Sequence, residues 1–328
     1  MEHLQFTLNA ILPILLPVFL GYFLKRIGFV SKNFLNECNK IVFGVFIPIL
    51  LFSNLYQANL KSIDWAFVGF SAAAILALFF IGMVVVMFIP DKKQKGVMLQ
   101  AAFRSNYAII GIPLAMSLGG DSAKAAASIV AAATVPLFNI LAVIALTIYD
   151  KEEGNAIDIK KILKKIATNP LIIGVFSGLL VCFISMGINE MGGNVSAFLN
   201  NDATFIPKTI SSIANLATPL ALIVLGGKFE FKAVKALWKQ LTISCSLRLV
   251  ITPAVFLTVA YFLGFDSVTE FAILIALFAT PIAVSSAPMA AQMGQDEELA
   301  GQIVVWTSAL SAISLFIIIL ICSGIGIF

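Results

Sequence analysis

Long apolar runs broken by short polar stretches set the pattern of this chain. They predict ten spans, at about 8–24, 41–57, 65–89, 97–118, 123–149, 169–187, 205–226, 238–263, 269–292 and 300–326. Most approach or exceed the roughly 20 residues that a helix needs to cross hydrocarbon. The runs are continuous and lack the ten-residue alternation of barrel strands. A helix satisfies its own backbone in lipid. The expectation is an all-α integral membrane protein of ten transmembrane helices. The first run has an acid and a histidine before it and Lys25 and Arg26 after it. A cleavable signal has the opposite order of charge, so the run is read as a first span with its N-terminus outside.

Composition agrees. The chain is 60% hydrophobic, only 12% charged, and has a mean hydropathy of +1.02; a soluble domain carries roughly 25% charged residues. Charge placement adds an orientation. With the N-terminus outside, Lys61, Lys124 and Lys208 fall outside and Arg104 and Arg248 fall within spans. All other lysines and arginines fall inside, the bias expected of cytoplasmic loops. Both termini are then outside a cytoplasmic membrane. The loop at 296–298 is acidic and does not add to the bias. Cys38, Cys182, Cys245 and Cys322 form no CxxC, and His3 is the one histidine. No metal, cofactor or nucleic-acid partner is expected.

The chain also repeats itself. "PLAMSLGGDSAKA" from Pro113 aligns with "PMAAQMGQDEELA" from Pro288, at an offset of 175. Pro48 is echoed by Pro219 and Trp65 by Trp238 at nearly the same offset. Five spans per half is an odd number, so the halves face opposite ways. The expected units are 1–149, a cytoplasmic linker at 150–168, and 169–328. Inverted repeats mark many secondary transporters.

Within spans four and nine lie polar residues and helix breakers. Gly111, Ile112 and Pro113 can end one half-helix and begin another, because proline removes a donor and clashes with the preceding turn. Ser285, Ser286 and Pro288 can do the same in span nine. Two helix starts aimed inward favour an anion. Candidate substrate contacts are Asn106, Tyr107, Gly111, Pro113, Ser285, Ser286 and Pro288, then Ser53, Asn54 and Asn139 from neighbouring spans, and Gln292. Arg104 is a further candidate, because intramembrane charge costs roughly 2.5–3.5 kcal/mol on insertion scales and is functional by default. It precedes Gly111 and Pro113 by about 10–14 Å of helix. Arg248 is read as either a ligand or an interhelical bond. No Asp or Glu lies in mid-span, so coupling could use sodium on unwound carbonyls or a substrate that carries its own proton, or transport could be passive.

"RSNYAIIGIPLA" in span four and "TPIAVSSAPMAAQMG" in span nine, set within ten spans, resemble the auxin efflux carrier family. That family includes bacterial malonate- and malate-permease-like members and the plant PIN-FORMED proteins. The resemblance covers nearly the whole chain. It implies that spans four and nine break and cross at their prolines. It implies a scaffold of spans 1, 2, 6 and 7, often a homodimer, and a moving unit of spans 3–5 and 8–10. Two features differ from the plant members: the central loop is short, and span three lacks their buried acid, with only Asp64 at its edge.

The expected function is a permease for small organic anions, mono- or dicarboxylates or auxin-like weak acids, working by alternating access. An anion channel would share the polar cavity but conduct without saturating. A sensor would normally carry a soluble signalling domain. An enzyme would need a catalytic cluster, and no such cluster, nor a GxxxxGK[ST] loop, is in the sequence.

Overall fold

A computed structural model describes residues 2–56, 64–149, 163–164, 166–191 and 205–328; the side chains of residues 2–11, 14, 124 and 125 are not among the described parts. Among the described residues the regular structure is helical, with no β-strand. Seven helices among the described residues are long and apolar enough to cross a membrane. This is a multi-pass membrane architecture.

In chain order, the helices are α1 Glu2–Arg26, α2 Lys32–Tyr56 and α3 Trp65–Met87. α4 Lys92–Phe103 follows, and a turn Tyr107–Gly111 leads into α5 Ile112–Ile148. Then come α6 Pro170–Glu190, α7 Phe205–Lys228 and α8 Phe231–Phe262. α9 Val268–Phe278, α10 Ser286–Gln292 and α11 Glu297–Gly324 complete the order. Gly120, at φ 71, bends α5 between the segments read as spans four and five. Most of the lysine-rich linker, and Lys61, lie outside the described residues.

Polar residues between the apolar runs start the helices. Asp64 accepts from the amides of Ala66 and Phe67, and Asn169 accepts from Leu171 ahead of Pro170. Ser267 and Glu270 form a reciprocal box. Each satisfies donors that the first helical turn leaves unpaired.

Two helix pairs are sealed by glycine. A Cβ on Gly226 would lie 1.8 Å from the Val18 carbonyl oxygen, and one on Gly21 would lie 2.0 Å from that of Ile223. These contacts join α1 to α7. Gly174 meets the Pro48 backbone in the same way, and Gly178 meets that of Phe52, joining α6 to α2. The "GVFSG" pattern at 174–178 is therefore filled within the chain, as small residues in membrane helices permit.

The breaks correct one expectation. Gly111 has helical angles of φ −64° and ψ −50°, and Pro113 continues into α5. The chain instead leaves helical geometry at Arg104 (ψ 109°) and Asn106 (ψ 45°). The reason lies in how the helix absorbs proline. Pro113 follows a wide π turn, Tyr107–Gly111, in which the Ile112 amide reaches back to the Tyr107 carbonyl. Pro48 follows Val42–Phe46 and Pro253 follows Leu247–Ile251 in the same way. Widening the turn before the ring relieves its clash with the carbonyl four residues back. In the second half, α9 ends at Phe278 and α10 begins at Ser286. The helix thus restarts at Ser286, as expected, but stops well before it.

The glycine seals predict opposite outcomes for two substitutions. Gly226→Val forces a side chain into backbone and should cost at least about 1–3 kcal/mol. Gly187→Ala, where nothing lies within 4 Å, should be neutral within about 1 kcal/mol. Thermal unfolding in detergent checks both, and an equal response would contradict the packing described.

Candidate functional site

The two breaks meet. Ser105 and Ile282 form an isolated antiparallel bridge, and the Asn106 amide donates to the Pro281 carbonyl at 2.8 Å. The hydroxyls of Ser105 and Thr280 lie 2.6 Å apart. Each unwound segment thus satisfies part of the other's backbone, away from solvent, where an unpaired group is costly.

Two buried arginines serve the two sides of this junction. Arg248 is fully buried on the π turn of α8. Its Nε donates to the Thr280 carbonyl at 2.8 Å and Nη2 to that of Leu277 at 3.0 Å. Its Nη1 lies 3.5 Å from the Phe103 carbonyl. Leu277 and Phe103 belong to the last turns of α9 and α4, so one guanidinium caps both helix ends.

Arg104, 2% exposed, sits in the first break rather than a helix away from it. Its Nη2 donates to Asn139 Oδ1 and to Ser285 Oγ, each at 2.9 Å. Its Nη1 lies 3.1 Å from the Met289 sulfur. These partners are neutral and use three of its five N–H groups. No Asp or Glu is buried among the described residues.

Arg104 lines a cavity of about 50 Å³ with Asn54, Asn106, Tyr107, Asn139 and Ser285. Ile47, Leu51, Val135 and Phe138 make apolar walls. The volume suits a few water molecules rather than an organic ligand. Asn106 is buried, yet its Nδ2 has no hydrogen-bond partner. The helix that begins at Tyr107 brings its first amides to the same place; the ladder starts with Ile110 donating to Asn106. One fixed cation, an unpartnered side-chain amide and a helix start therefore share one small cavity.

The other expected residues play different parts. Tyr107 lines the cavity, but its hydroxyl donates to the Ala127 carbonyl at 3.1 Å. Gly111 is a packing glycine: a Cβ there would lie 2.8 Å from the Tyr107 ring and 3.0 Å from the Ala276 oxygen. Pro113 and Ser53 do not line the cavity. Ser286 is buried beside it with an unpartnered hydroxyl.

Pro288 lines a larger vestibule of about 980 Å³, with Lys25, Arg26, Lys32, Lys228 and Lys232. The two spaces share Ala221. Gln292 faces a side chamber with Lys228 and Glu297. Lys228 Nζ meets Glu297 at 2.5 Å, and Gln94 donates to Asp296 at 3.1 Å. The basic loops and the acidic loop at 296–298 thus converge at one end, where the acids have cationic and amide partners. The sequence reading missed Thr280, although it stands 175 positions after Ser105, the offset of the repeat itself.

A bundle of apolar helices around a buried polar, charged junction is the arrangement expected of a membrane transporter. A family model described as "Membrane transport protein" matches residues 6–319, and the chain belongs to that family, the auxin efflux carrier family. An uncharacterized transporter of Methanothermobacter thermautotrophicus is 24% identical over 313 residues, covering 94% of this chain and 95% of that protein. An uncharacterized transporter of Methanocaldococcus jannaschii is 26% identical over 263 residues, covering 77% and 79%.

The hydroxyl pair at the junction should be energetically coupled. A double-mutant cycle of Ser105→Ala and Thr280→Val, followed by unfolding in detergent, should give about 0.5–1.5 kcal/mol of coupling. Strictly additive losses would contradict a bond between them.

Proposed function

We propose that this protein is a secondary carrier for a small organic anion, bound where the two broken spans meet. The observation that carries this reading is Arg104: a buried cation with only neutral partners, facing a cavity beside an unpartnered Asn106 amide. A carboxylate would supply the missing charge and accept from both groups. Asn54, Asn139 and Ser285 would orient it, and the apolar wall would receive its carbon skeleton. Of the expected contacts, Gly111, Pro113, Ser286 and Pro288 are proposed as supports for the break and the path, and Ser53 as a neighbour of Asn54.

We read the fold as ten spans in two inverted halves of five. Supporting this, the seals of α1 with α7 and α6 with α2 exchange under a two-fold that relates the halves. Ser105 and Thr280, matched at the repeat offset, touch each other, as residues on such an axis must. Alternating access is the reading we attach to a small cavity at the junction beside a much larger vestibule at the basic end. With that end cytoplasmic, both termini lie outside. A homodimer remains the expectation of the resemblance; its contact would use a face other than 174–178, which α2 fills.

Proteoliposomes test the reading. Uptake of radiolabelled malonate, malate or indole-3-acetate should saturate for at least one acid. It should fall roughly 10- to 100-fold in efficiency in Arg104→Gln, which loses a charge-assisted bond, and also fall in Asn106→Ala. Non-saturating flux would favour a channel. Uptake unchanged in Arg104→Gln would overturn the site.

A further inference from the structure

At the junction of the two broken helices, negative helix ends and positive helix starts face different partners. The last carbonyls of α4 and α9 lack intrahelical donors. Each helix end carries about half a negative charge. In carriers built from broken helices, such carbonyls are suited to hold a soluble cation. Here two of them, from Phe103 and Leu277, converge with the Thr280 carbonyl of the break just beyond α9 on one buried side chain, Arg248. No group of three or more His, Cys, Asp or Glu side chains able to hold a metal ion exists among the described residues.

We propose that Arg248 is a tethered counter-cation: its guanidinium occupies the carbonyl cage where the helix ends meet, so that no soluble cation binds there. One unit of positive charge matches two helix ends of about half a charge each. The planar fork reaches both helices at once, which a spherical ion could do only with water to complete its shell. The π turn Leu247–Ile251 places the side chain, because an extra residue in the turn re-aims the helix at that point. Arg248 is thus a positioning residue, joined by covalent bonds to α8 and by hydrogen bonds to α4 and α9. The consequence for coupling rests on the carrier reading; the cage itself does not.

The test is cation-selective stability of the purified full chain in detergent at constant ionic strength. Melting temperatures are compared in choline, sodium, potassium and millimolar guanidinium chlorides. The wild type should not distinguish sodium from choline. Arg248→Ala should melt several degrees lower and recover part of the loss in millimolar guanidinium, saturably, while Gly187→Ala shows no such response. A saturable sodium stabilisation of the wild type would overturn the proposal. So would an Arg248→Ala protein that no cation restores.

Should Arg248→Ala not yield folded protein on purification, Arg248→Lys and Arg248→Gln make the same comparison. The lysine variant should be indifferent to added cations and the glutamine variant responsive; the reverse would overturn the idea. Uptake by the wild type should also be independent of a sodium gradient. Failure of all anion uptake with the cation responses intact would bring down the carrier reading and leave the tethered cation standing.

Discussion

Everything in this molecule follows from one constraint: a backbone that stops being helical inside an apolar medium must find partners for its free N–H and C=O groups. The chain breaks two helices, at 104–106 and 279–285. It meets the constraint by bringing the breaks together. Asn106 donates to Pro281, the Ser105 and Thr280 hydroxyls pair, and Arg248 donates to the carbonyls of Thr280 and Leu277. Each partner comes from a different span, so the junction can form only when the surrounding helices are packed. The glycine seals on α1, α6 and α7 serve that packing.

The division of labour between the two arginines gives the junction its chemistry. Arg248 faces carbonyls at the ends of helices, and its charge is spent on structure. Arg104 faces an amide oxygen, a hydroxyl and a sulfur, none of which carries charge. A buried guanidinium held only by dipoles is an incomplete arrangement, and in the proposed carrier the substrate completes it. The cavity beside it is only about 50 Å³, so in the proposed carrier its walls would part to admit an organic anion. The vestibule on the basic side, lined by Lys25, Arg26 and Lys228, would gather anions before they reach it.

Much of this was legible in the sequence. Apolar runs gave the helices, the repeat pointed to spans four and nine, and the polar cluster at Arg104, Ser105 and Asn106 marked the place. The position of the first break was not legible. Proline is the strongest breaker by local rules, and Pro113 drew the expectation toward it. Tertiary structure decided otherwise: a π turn absorbed the proline, while polar contacts across the junction held the chain open seven residues earlier. The same displacement puts Arg104 in the break itself rather than about 10–14 Å of helix before it. The role of Arg248 was also hidden, because its partners are backbone carbonyls, which every residue has and no motif records.

The central claim is that Arg104 offers an uncompensated charge to an anion. Equilibrium binding of radiolabelled carboxylates to the purified protein, followed by scintillation proximity, tests it without requiring transport. The account predicts saturable binding of at least one acid to the wild type, and its loss in an Arg104→Gln protein that melts as a folded species. Equal binding to both proteins would contradict it.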